Sequence, residues 1–178
     1  MQKAQKKETR PARVVVIDDH DVVRRGLRQV IEQDPALTVC GDAVDARSAL
    51  QLLDTEDVDV ATIDLSLHED SGLELIKDIK AQHPRIQMLV YSMHDETLYA
   101  ERVIRAGARG YLMKQEPVEK VVDAIHRILA GRIYLSEVMA ARMVDTLLGG
   151  QGSAAESSTL GNLSDRELEV FELIGQGL

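Results

Sequence analysis

A chain of 178 residues is long enough for one full domain and part of a second. Its 44% apolar and 29% charged content describes a folded globular protein and excludes an intrinsically disordered one. The net charge of −9 argues against a broad basic face that wraps nucleic acid, and it suits a site that gathers carboxylates around a cation. No apolar run approaches the roughly 20 residues of a membrane helix. The polar, basic N-terminus (Lys3, Lys6, Lys7, Arg10) lacks the apolar centre of a signal peptide and reads as a flexible tail over residues 1–12. The single cysteine, Cys40, rules out an internal disulfide and fits a reducing cytoplasm. It sits in a strand-like run and reads as a small buried apolar residue. The five histidines (His20, His68, His83, His94, His126) show no metal-ligand spacing and read as surface residues.

After the tail, Val14-Val15-Val16-Ile17 predicts a buried strand that runs straight into Asp18-Asp19-His20-Asp21. Val22, Val23, Leu27, Val30 and Ile31 recur at helical spacing, and Pro35 closes that segment. Leu37 to Gly41 reads as a second strand. Asp45 is placed to cap a helix carrying Ala46, Ala49, Leu50 and Leu53. Val58 to Ile63 is a third strand and delivers Asp64, followed by the polar stretch Ser66 to Ser71. Ser71 and Glu74 form a capping box that opens a third helix with Leu75, Ile76 and Ile79 inward. A fourth strand, Ile86 to Tyr91, ends in Ser92-Met93-His94-Asp95, and a helix from about Glu96 to Ala106 stops at Gly107. Gly110 to Met113 is a short fifth strand ending in Lys114. Pro117 is expected at the first position of a fifth helix, striped by Val118, Val121, Val122, Ile125, Ile128 and Leu129.

Strand-then-helix units repeated in this way predict an α/β fold, a five-stranded parallel sheet doubly wound by helices on both faces. Past Gly131 the pattern changes. Residues 132–148 carry a connecting helix from Ser136 to Leu148. Residues 149–161 have the Gly/Ser composition of a flexible linker. Residues 162–178 open on a second capping box, Ser164 and Glu167, with Leu163 and Leu168 placed as a hydrophobic staple. One helix cannot bury its own apolar face, so this segment is expected to begin a domain whose remainder is missing.

Ligands in an open parallel sheet sit outside the carboxyl ends of the strands. Those ends supply Asp18 and Asp19, Asp64, Ser92 and Lys114. Three carboxylates brought that close repel one another and are tolerable only with a cation. An all-oxygen set with open positions suits Mg2+. Lys114 as a point charge and Ser92 as a donor complete a cradle for a phosphoryl group. The chemistry this suits is in-line attack by a carboxylate oxygen on phosphorus, giving an aspartyl phosphate.

On these residues, the segment from 13 to 131 resembles the receiver domain of two-component response regulators, a flavodoxin-like fold. The acidic doublet, the strand-end Asp, the hydroxyl and the lysine stand in that family's order and approximate spacing. The resemblance implies that Asp64 is the phospho-acceptor for a histidine kinase or phosphotransfer protein. It implies that Asp19, Asp64 and the backbone carbonyl of Ser66 bind Mg2+, with Asp18 helping through water. Ser92 and Lys114 would contact the phosphoryl group. Tyr111 matches the aromatic switch residue that moves with the hydroxyl, so phosphorylation is expected to pull Ser92 and Tyr111 inward. Ser66 and His94, two residues beyond Asp64 and Ser92, stand where the family tunes water access.

Leu163-Ser164-Asp165-Arg166-Glu167-Leu168-Glu169-Val170 resembles the opening of the LuxR-type helix-turn-helix and points to the NarL/FixJ subfamily of transcriptional regulators. That implies a cytoplasmic, DNA-binding regulator that dimerises on activation and is not a dedicated enzyme. One arginine stands against four acids in 162–178, so this helix would be scaffold, and the chain as given is expected to bind DNA poorly. Some positions depart from the family pattern: His68 and Gln115 stand where proline is frequent, and Glu69-Asp70 add negative charge beside the acceptor.

Two other classes compete. A phosphorylation-independent interaction module on the same fold generally lacks a member of the doublet, the acceptor or the lysine, and all are present. An Asp-nucleophile hydrolase of haloacid-dehalogenase type needs Asp-x-Asp, but Leu65-Ser66 follow Asp64. A P-loop enzyme needs a Gly-rich run ending in Gly-Lys-Ser/Thr, which does not occur. A flavin site would want hydroxyls and glycines where Asp18-Asp19 stand.

Overall fold

The computed structural model describes residues 10–68, 70–147 and Glu167. The flexible tail (apart from its last residues), the linker and the second capping box fall outside these residues, Glu167 excepted. Strand β1 (Ala12–Ile17) leads to helix α1 (Asp21–Ile31), β2 (Leu37–Ala43), α2 (Ala46–Thr55) and β3 (Val60–Ile63). A small hairpin, β4 (Ser66–Leu67) with β5 (Asp70–Ser71), precedes α3 (Gly72–Gln82). Then come β6 (Gln87–Ser92), α4 (Glu96–Ala106), β7 (Gly110–Met113), α5 (Lys120–Leu129) and α6 (Glu137–Leu147).

The main sheet is parallel throughout, in the order β2-β1-β3-β6-β7. Alternation along the strands splits its side chains between two cores. Val14 and Val16 join Leu27, Ile31, Val121, Ile125 and Ile128 under α1 and α5. Val15 and Ile17 face the other way, onto Ala49, Leu53, Ile76, Ile79 and Val103 under α2, α3 and α4. Val14 to Ile17 are all within 1% of complete burial, which is why that segment reads as an uninterrupted apolar run.

The cap expected at Asp45 forms: its carboxylate accepts the Ser48 N–H at 2.7 Å, and the Ser48 hydroxyl lies 3.3 Å from the Asp45 N–H. Two other expectations are corrected. Ser71 is the N-cap residue of α3 but closes no side-chain cap hydrogen bond, because the hairpin β4–β5 already fixes how the chain enters that helix. Pro117 does not open α5 directly. A tight turn intervenes, in which the Pro117 carbonyl accepts from Lys120 N at 3.0 Å, and the helix begins at Lys120.

The connecting helix packs on the domain. The Tyr134 backbone accepts from Tyr111 N and donates to Arg109 O, both at 2.9 Å, straddling Gly110 at the sheet edge. Helix α6 then lies against α4, with Met139 buried and Leu135 and Met143 packed on the same core. Its entry is held by a charge: the buried Glu96 carboxylate at the start of α4 accepts the Ser136 N–H at 3.0 Å.

Gly72 is the tightest point near the sheet's carboxyl edge. A Cβ there would lie 2.2 Å from the Asp64 carbonyl oxygen and 2.6 Å from Leu65 Cα, both backbone atoms that cannot swing aside. Gly72→Ala is therefore expected to lower the stability of unfolding by at least about 2 kcal/mol. Chemical denaturation would check it, and a variant within error of the wild type would contradict the close approach.

Candidate functional site

Register carries the chemistry to one edge of the sheet. Ile17 pairs with Ile63, and Asp64 N donates to Ile17 O at 2.9 Å, so Asp18 and Asp64 emerge side by side. The connections run from β1 outward to β2 and then back to β3 on its other side. That reversal leaves a crevice between β1 and β3, the place where open α/β sheets hold ligands. Farther along, Lys114 N donates to Ser92 O at 2.8 Å, which brings the ends of β6 and β7 to the same edge.

The centre of the site is one ammonium between two carboxylates. Lys114 Nζ stands 2.6 Å from Asp64 Oδ2 and 2.7 Å from Asp18 Oδ2, and all three side chains are buried to within 9% or less. Burial pushes the Asp18 carboxyl up despite the hydrogen bonds from Lys114 and the His20 N–H, so it stays above the ordinary carboxylate range. Desolvation pulls Lys114 down, but its hydrogen bonds and charge contacts with Asp18 and Asp64 outweigh this and hold it above the usual lysine value. The remaining capacity is specific. Among the described residues, Asp19 Oδ1 and Asp64 Oδ1 are buried carboxylate oxygens with no hydrogen-bond partner. Ligand atoms of Asp18, Asp19, His20 and Asp64 lie within 4.8 Å of one another, a spacing that could hold a metal ion.

The residues expected from sequence are thus brought together, and their neighbours add to the picture. Ser92 is completely buried, with its hydroxyl 3.4 Å from the His94 N–H. Ser66 Oγ lies 2.8 Å from His94 Nε2, so the two expected modulators touch each other over the site. Tyr111 is already inward: it is 1% exposed, and its hydroxyl donates to the His94 carbonyl at 2.8 Å. The ring thus stands in the inward position that the switch expectation associates with phosphorylation.

The histidines read from sequence as surface residues each have a partner. His20 Nδ1 is 2.5 Å from Asp19 Oδ1, outside hydrogen-bond geometry, and His68 Nδ1 is 3.1 Å from Asp19 Oδ2. His83 faces Asp54 at 3.2 Å and His126 faces Asp34 at 2.7 Å. Their rings are exposed in part, which is what composition could see, but their partners come from distant segments. Only the adjacency of His20 to the acidic doublet was a usable signal. Cys40, expected to be buried, is half-buried against the core; desolvation pushes its thiol up, and Sγ lies 3.4 Å from the Val14 carbonyl.

Residues 14–126 match the family model described as response regulator receiver domain. The chain belongs to the response regulator family. The receiver is similar to that of the nitrate/nitrite response regulator protein NarP of Escherichia coli K12, which is 33% identical over 171 residues, spanning 96% of this chain and 78% of that one. It also resembles the crystal structure of a LuxR-family two-component response regulator from Aurantimonas sp. SI85-9A1. That structure is 33% identical with a TM-score of 0.71, covering 78% of this chain and 99% of that one. A structure of two RcsB dimers bound to two parallel DNAs matches at 26% identity and a TM-score of 0.69, over 94% of this chain and 78% of that one. The fold expected from sequence, five parallel strands doubly wound, is the one observed. Among the described residues, no helix is long and apolar enough to cross a membrane.

The raised pKa of Asp18 has a consequence for stability. A carboxyl held above its unfolded value binds its proton more tightly in the fold, so its ionisation costs stability at higher pH and the cost is recovered as pH falls. Without divalent cations, Asp18→Asn is expected to melt higher than wild type at neutral pH. The gain should narrow as pH drops through Asp18's raised pKa towards the ordinary carboxylate range. Thermal melts across that window decide it, and a lower melting point at neutral pH would contradict the burial cost.

Proposed function

We propose that this response regulator accepts a phosphoryl group on Asp64 from a histidine kinase or phosphotransfer protein. The observation that carries the reading is the buried Asp18–Lys114–Asp64 triad together with the two unpartnered oxygens, Asp19 Oδ1 and Asp64 Oδ1. A carboxylate oxygen of Asp64 attacks phosphorus in line, an O–P bond forms, and the bond to the donor's leaving group breaks. Lys114 then neutralises charge on the transferred group, and the buried Ser92 hydroxyl is at hand to bond it.

The clustered carboxylates of Asp18, Asp19 and Asp64 fit Mg2+, and by the family resemblance Asp19, Asp64 and the Ser66 carbonyl would hold it directly, with Asp18 acting through water. When bound, Mg2+ would offset the negative charge that gathers between the carboxylates and the incoming phosphoryl group. The chain is no dedicated enzyme in this reading; it catalyses its own transfer and its own hydrolysis, with Ser66 and His94 controlling water.

The receiver spans 13–131 in this account, followed by the connecting helix (132–148), a linker (149–161) and the start of a LuxR-type DNA-binding domain (162–178). Its surroundings are the cytoplasm, and its further partners are a second copy on activation and DNA through a complete output domain. The RcsB assembly, dimeric on DNA, supports that direction. Drawing Ser92 towards the phosphoryl group would alter its contact with His94 and move the loop that begins α4. Helix α6 rests on α4, so a population shift at this loop would reach the connecting segment.

Intact-mass analysis after incubation with acetyl phosphate and Mg2+ tests the assignment. A single phosphoryl adduct is expected, lost in Asp64→Asn and when Mg2+ is omitted. An adduct that persists in Asp64→Asn would place the acceptor elsewhere, and no adduct on the wild-type chain would favour a phosphorylation-independent module.

A further inference from the structure

We infer that Arg24 is a positioning residue for phosphoryl transfer: its guanidinium holds the backbone of Asp18 and so sets where that carboxylate meets Lys114. The inference rests on the reading of Asp64 as the phospho-acceptor, and it adds a residue that touches none of the reacting groups. In sequence, Arg24 and Arg25 look alike. In the fold they part: the Arg24 side chain is 12% exposed, whereas that of Arg25 is 80% exposed and meets only Asp21 among the printed ion pairs of α1.

One guanidinium serves three acceptors from three parts of the chain. Nη1 donates to the Asp18 carbonyl at 2.8 Å, Nη2 to Asp21 Oδ1 at 3.2 Å, and Nε to Asp42 Oδ2 at 3.1 Å. Asp42 lies on β2 as the register partner of Val16, and its other carboxylate oxygen accepts from Arg28 at 3.2 Å. The far end of the clamp is therefore fixed to the sheet and to a second arginine. Its near end grips the residue that leaves β1 for the site.

Every polar group of Asp18 is then committed. Its N–H donates to the Ala43 carbonyl at 3.1 Å, its carboxylate takes the His20 N–H at 2.9 Å and Lys114 at 2.7 Å, and Arg24 takes its carbonyl. The turn has little else to steady it, because His20, the N-cap residue of α1, closes no side-chain cap hydrogen bond. Removing the guanidinium takes this donor from the carbonyl of a residue only 1% exposed, and the peptide after Asp18 becomes free to turn. The Asp18 carboxylate then shifts from Lys114, and the ammonium beside the attacking Asp64 oxygen shifts with it. A lysine at this position keeps the charge but lacks the planar fork that reaches all three acceptors.

The test is the rate of labelling by acetyl phosphate at saturating Mg2+, followed by intact mass over a range of donor concentrations. It compares the whole chain with Arg24→Ala, Arg24→Lys, Asp42→Ala and the Arg24→Ala/Asp42→Ala double variant, with circular dichroism to confirm folding at the assay temperature. In Arg24→Ala the maximal rate is expected to fall at least about tenfold, with the half-saturating donor concentration unchanged, because geometry and not donor binding is lost. Arg24→Lys should not restore the rate. Asp42→Ala should show a smaller fall, and the double variant should be no slower than Arg24→Ala, as expected of two residues in one clamp. If the wild-type chain is labelled and Arg24→Ala matches its maximal rate, the inference is overturned and the phospho-acceptor reading stands. Full recovery in Arg24→Lys would also overturn it, since charge alone would then suffice, and this arm decides the matter if Arg24→Ala does not fold. If the folded wild-type chain takes no label, the phospho-acceptor reading falls and the inference with it.

Discussion

The ammonium of Lys114 between Asp18 and Asp64 is the contact on which the site depends. An isolated charge taken out of water costs several kcal/mol even after a protein relaxes around it, so two buried carboxylates need a cation or a proton. One lysine answers to both at 2.6 and 2.7 Å, which leaves the pocket one positive charge short of neutrality before Asp19 is counted. That shortfall is a physical reason for a receiver to want a divalent ion. It also explains why the burial cost appears on Asp18, whose carboxyl is pushed up, rather than on the lysine, which two carboxylates hold charged.

The geometry around the triad links it to the far side of α4. Ser92 is buried at the end of β6, its hydroxyl touches the His94 N–H, and the His94 carbonyl takes the Tyr111 hydroxyl. Two residues on, Glu96 holds the Ser136 N–H at the start of α6. These contacts lie on one short stretch, residues 92–96, so a small change at Ser92 has few bonds to pass through before it meets the connecting helix. The inward Tyr111 means that such a change begins from a packed ring and acts through the backbone of this loop.

Much of this was open to a reader of the residues alone. The buried strands announced themselves because a sheet covered on both faces needs apolar residues at every position, as in Val14 to Ile17. Asp45 declared its cap because the bond it makes is to a residue three positions away. Asp18, Asp19, Asp64, Ser92 and Lys114 were legible for a topological reason: parallel strands all deliver their carboxyl ends to one edge, so the residue after each strand is a candidate for the same site. The hairpin after β3 was not legible, since two residues per strand are too few to show a period. The Ser71 cap was misjudged for the same cause.

Sequence by itself therefore determined the order of the five sheet strands and their helices, the doubly wound sheet and the list of groups that meet at its edge, because each follows from local periodicity and chain direction. Only the tertiary structure decided how those groups divide their bonds. That Lys114 serves two carboxylates, that His68 meets Asp19, that Tyr111 is inward and that Glu96 holds α6 all depend on distances between segments far apart in the chain. Such distances are set by packing against two cores, and no spacing along the chain encodes them.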